Sequence, residues 1–127
     1  MPVLVIYLLQ VWALYALSLI ADSGGPLFRN HAENTLKAVH YLINITSLQE
    51  VPLYRCLGKC LNSLLTTLGP ELQLTSAGIV AARRMALSCA YILLDHFDPM
   101  VQSSGLCSLQ QLQVYACLLY TSDAADE

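Results

Sequence analysis

Apolar side chains recur along this chain at steps of three and four, the spacing that lays a stripe down one side of a helix. Between Leu27 and Ile45 the positions Ala32, Leu36, Val39 and Ile43 step by four, three and four, while Glu33 and Lys37 are spaced as an i,i+4 pair on the other side. Pro52 suits a first helical turn, where a missing N–H costs nothing, and opens the clearest stripe: Leu53, Leu57, Leu61, Leu64 and Leu68. Arg55, Lys59, Asn62 and Thr66 lie opposite, and Gly69-Pro70 ends the helix. A further helix is predicted from Ser76 to His96, with Val80, Leu87, Tyr91 and Leu94 as its core face and Arg83 and Arg84 toward water. Asp98-Pro99, an N-cap residue followed by a good first residue, opens the next helix over Met100 to Ala116. Strand-like alternation is absent. With the apolar run Val3–Ala21 ahead of them, these segments predict an all-α chain of about five helices.

That first run has two readings. Its nineteen residues hold only Gln10 and Ser18 as clearly polar side chains, which is long enough to span a membrane. Against a signal peptide, the first basic residue is Arg29, and Leu19 stands where a small residue would precede cleavage at Ala21. Gln10, Trp12 and two tyrosines also fall inside the run. A helix buried in a stack of helices is apolar nearly all round, which is the preferred reading. The alternative is a membrane-anchored or secreted helical domain with Val3–Ala21 as its signal or transmembrane segment. Asn44-Ile45-Thr46, a glycosylation triplet, matters only in that case. Asp22-Ser23-Gly24-Gly25-Pro26 is expected to stop the first helix and reverse the chain.

Composition agrees with helices that need covering. The chain has 127 residues, 56% of them hydrophobic and only 12% charged, which is more apolar content than one compact shell requires. Much of its surface is expected to meet other protein, or lipid. The last eleven residues, Cys117 to Glu127, are a separate case: they resemble the translation of a transposase mosaic end and its sequencing adapter. On that resemblance 117–127 is a foreign scar, and the native part is 1–116, truncated on its C-terminal side. Without Asp123, Asp126 and Glu127, the acids equal the six Lys and Arg residues, so 1–116 is formally neutral. Nucleic acid is then excluded as a partner, because phosphates call for a clustered positive face.

Little here suggests chemistry. Cys56 and Cys60 sit four apart on one helix, but no second CxxC or HxxxH supplies further ligands, so these and Cys89 and Cys107 are read as buried free thiols, small hydrophobes rather than metal ligands. Asp95, His96 and Asp98 form the densest ionisable cluster, and their spacing fits the capping of adjacent helix ends. His31 and His40 fall among helix residues. No nucleophile motif, phosphate-binding loop or HExxH accompanies them. The expectation is a non-enzyme with no catalytic, cofactor or metal site, and no cofactor. Tyr54 and Phe97 are the aromatic candidates for an interface.

Two segments share an arrangement. An apolar helix end is followed by a turn with Asp and Pro, then an apolar residue, a polar residue, and small and Leu positions at helical spacing. Asp22, Pro26, Phe28, Arg29, Ala32, Leu36 and Val39 match Asp98, Pro99, Val101, Gln102, Gly105, Leu109 and Leu112. This resembles the HEAT repeat, whose two antiparallel helices meet at an Asp- and Pro-containing turn followed by Val-Arg. The resemblance covers about 3–45 and 76–116. It implies a HEAT-like (armadillo-like) helical-hairpin solenoid fragment, in which stacked hairpins bury a continuous core. Gln102 replaces the usual Arg, so the second copy is expected to lack an inter-repeat polar contact. A competing register places Pro52 against Pro99, 47 positions apart, near the length of a long repeat. The spaced pattern is preferred over the prolines, which leaves the middle helix 52–68 unpaired.

Within HEAT proteins the run Ile92 to Leu109, with Asp95, His96, Asp98, Pro99 and Gly105 inside it, is similar to the TEL-two-interacting protein two (Tti-two) family. That resemblance implies a non-catalytic protein-protein interaction scaffold. It would be a cochaperone-complex subunit for maturation of phosphatidylinositol-3-kinase-like kinases, with the complex's companion subunits as partners. The expected compartment is the cytoplasm, and the nucleus with it.

Overall fold

The computed structural model describes the backbone of 3–24, 27–73 and 77–125. Within those ranges the side chains at 3–5, 7, 8, 22, 24, 29, 70, 73, 77 and 115–125 fall outside the description. Five α-helices follow one another: α1 (Val3–Gly24), α2 (Arg29–Ile45), α3 (Val51–Leu68), α4 (Ala77–Leu94) and α5 (Pro99–Ala125), with a short 3₁₀ segment, Gly69–Gln73, after α3. No strand occurs among the described residues, and the chain is all-α as its periodicity predicts.

The helix ends follow local chemistry. α3 stops at Gly69, whose φ of 36° is a conformation that a Cβ would disfavour, and whose N–H still reaches the Leu65 carbonyl. α5 starts as expected, with Asp98 Oδ2 accepting the Val101 N–H at 3.1 Å and Pro99 in the first position. α1 differs from expectation at its end, because Asp22 and Ser23 continue the helix to Gly24 rather than closing it. Gly25 and Pro26, the rest of the expected stop signal, lie outside the described residues.

The helices make two layers. α1, α3 and α5 lie side by side in one, α2 and α4 in the other. α3 sits at the centre because its sequence offers a different surface to each neighbour. Toward α1, the Cys60 thiol donates to the Leu14 carbonyl at 3.0 Å and the Thr67 hydroxyl to that of Ala21 at 3.2 Å. Toward α5, Gly58 meets Ser104, and Asn62 accepts a hydrogen bond from the Ser108 hydroxyl. Between these flanks Leu57, Leu61, Leu64 and Leu68 are buried in the space between the layers.

The pairing of helices corrects the preferred register. α2 with α3 and α4 with α5 form the packed hairpins, whereas the substantial contacts of α1 are with α3. Matching Phe28–Val39 to Val101–Leu112 therefore compares a helix of one layer with a helix of the other. The proline spacing is the one that follows this pairing: buried Tyr54, Gly58, Leu61 and Leu65 of α3 line up with buried Val101, Gly105, Ser108 and Leu112 of α5, each 47 positions on. In the other layer Ala32, Leu36, Val39 and Ile43 of α2 repeat as Ala82, Ala86, Cys89 and Leu93 of α4, with the same four, three, four steps. The middle helix is thus the best partnered one.

The face assigned to α4 is also corrected. Its buried side is Ala82, Ala86, Cys89, Ala90 and Leu93, while Leu87 and Tyr91 are exposed and Val80 and Leu94 only half-buried. Close approach is the reason. A Cβ added at Gly105 would come within 2.5 Å of the Leu94 nitrogen and 2.9 Å of the Ala90 carbonyl oxygen. Backbones this near leave room only for small side chains at the crossing, so the large ones are turned outward.

Candidate functional site

Two features stand out: a polar junction where the hairpin turns meet, and an open groove at one end of the stack. The junction is built from the connector after α2, the first turn of α3, and the turn between α4 and α5. Arg55 holds Asp98 with two parallel bonds, Nε to Oδ2 at 3.1 Å and a terminal guanidinium nitrogen to Oδ1 at 2.8 Å. Paired geometry of this kind is the strong form of the contact. With the Arg55 hydrogen bonds as the main cause and the Val101 N–H adding to them, the Asp98 carboxyl is lowered to about 2.

His96 is fully buried beside this pair. Its Nδ1 accepts the Asp98 N–H at 3.0 Å, so that nitrogen carries no proton, and Nε2 then donates to the Leu48 carbonyl at 2.9 Å. The network assigns the tautomer. Tyr54 packs its ring 4.7 Å from that of His96 and turns its hydroxyl to the Ile43 and Thr46 carbonyls, at 3.0 and 2.8 Å. Gln102 donates to the His96 carbonyl. Apart from the Arg55–Asp98 pair, each of these bonds satisfies a backbone group at a helix end or turn. The arrangement clamps two hairpins together, and it leaves no buried acid or base pointing into a cleft.

The groove lies between α4 and α5, on the side of α4 turned away from α2. It encloses about 590 Å³ and is lined by Val80, Leu87, Tyr91, Leu109 and Leu112, with Arg84 and Gln113 along it. Arg83, also on this side, is held by the Leu72 carbonyl at 2.7 Å. At the opposite end of the stack, α1 buries Leu14, Ser18 and Ala21 against α3 and exposes Leu9, Trp12, Leu19 and Ile20, with Trp12 67% accessible. Trp12 meets Tyr15 edge to face at 6.4 Å, and Tyr15 carries the Lys59 ammonium 5.7 Å above its ring.

The other singled-out residues are dispersed. Tyr54 is buried in the junction and is not an exposed anchor, whereas Phe97 is 59% accessible and stacks on His96 at 4.4 Å. Asp95 is exposed and stands outside the Arg55–Asp98 pair. His31 is exposed at the start of α2, and the His40 carbonyl accepts from the Asn44 amide at 2.8 Å. Cys60 and Cys89 are buried as expected, but Cys56 is only half-buried and Cys107 is exposed, because it lies on the outward side of α5; burial pushes the Cys89 thiol up to about 12. Among the described residues no three His, Cys, Asp or Glu side chains gather closely enough to hold a metal ion. Sequence reasoning missed Arg55 as the partner of Asp98, and it missed the groove. The 47-residue proline register holds the first signal, since it aligns Arg55 with Gln102.

Among the described residues no helix is long and apolar enough to cross a membrane. Val3, Leu4, Val5, Tyr7 and Leu8 of the first apolar run lie outside the described side chains, as do those of the expected scar, 117–127. No protein-family model matches the chain, and no solved structure does.

Proposed function

We propose that this chain is a non-catalytic protein-interaction scaffold made of HEAT-like hairpins, and that it serves as a subunit of a cochaperone complex for phosphatidylinositol-3-kinase-like kinases. The observation that carries the scaffold reading is the repetition itself: two hairpins with the same buried spacing, stacked with a polar contact, Arg55 to Asp98, between them. In the 47-residue register Arg55 occupies the position equivalent to Gln102, and it reaches forward to the Asp of the next turn, Asp98. It is the kind of contact between hairpins that the HEAT resemblance implies. A stack bonded turn to turn presents long helix faces to partners, as solenoids do.

The test is co-purification of the tagged chain with the two companion subunits of that complex. Stoichiometric recovery of both supports the reading, and recovery of neither from cells in which the complex is intact rejects the cochaperone assignment. A second reading has one observation in its favour, the apolar outward side of α1: a membrane-anchored or secreted helical domain. Carbonate-resistant membrane association, or a glycan on the exposed Asn44, would support it over the scaffold.

A further inference from the structure

We draw no further inference here: the strongest candidate, the apolar groove between α4 and α5 lined by Leu87, Tyr91 and Leu109, is an unpartnered face, and nothing in the structure shows what covers it.

Discussion

Asp98 joins two jobs, capping α5 and receiving Arg55 from the neighbouring hairpin. Its carboxyl is held at about 2, below the ordinary 3.8, so the folded state favours the ionised form. That contribution is complete above the unfolded value and disappears as pH falls through the folded one. The unfolding midpoint of wild type in urea should therefore drop between about pH 4 and 2 by more than that of Asp98→Asn. Equal slopes would show that the pair contributes nothing. The thiols make a second comparison: Cys107 is exposed, while burial lifts Cys89 to about 12. Iodoacetamide at neutral pH should label Cys107 first and Cys89 only on unfolding, as read by peptide mapping. Early labelling of Cys89 would contradict its burial.

α2, α3 and α4 were legible from stripes, α1 from its apolar run and α5 from its Asp98-Pro99 start, but a stripe did not always give the face a helix buries. For α3 the reading by large apolar residues is right, because Leu57, Leu61 and Leu64 fill a space between layers. Leu61→Ala should cost about 2–5 kcal/mol in chemical denaturation. For α4 the same reasoning picks the wrong side, because the crossing with α5 is too close for large residues and Ala86, Cys89 and Ala90 form the contact. A periodicity count that rewards size cannot see this. Gly105→Ala tests it: the new Cβ would meet α4 backbone, which cannot swing aside, and should cost about 1–3 kcal/mol. Gly58→Ala meets the Ser104 side chain instead and should cost less. The reverse order would mean that α4 and α5 are not so tightly set.

How the hairpins follow one another was half visible. Pro52 and Pro99, Gly58 and Gly105, carry the register, yet the Phe28 and Val101 segments look more alike residue by residue. They do so because any helix start that buries one side draws on the same few residue types, whichever layer it belongs to. The groove was invisible for a further reason: it is made by what two helices leave uncovered, which no single stripe records.

The central place of α3 sets an order for how the molecule comes apart. It touches α1 on one flank, α5 on another and α2 between them, so its amides become accessible only after several neighbours have left. Deuterium uptake should be slowest at the middle of α3, around Leu57 to Leu64, and faster along α1, whose main support is α3 alone. The last part to open would then be the segment that, by its looks in the sequence, had no mate.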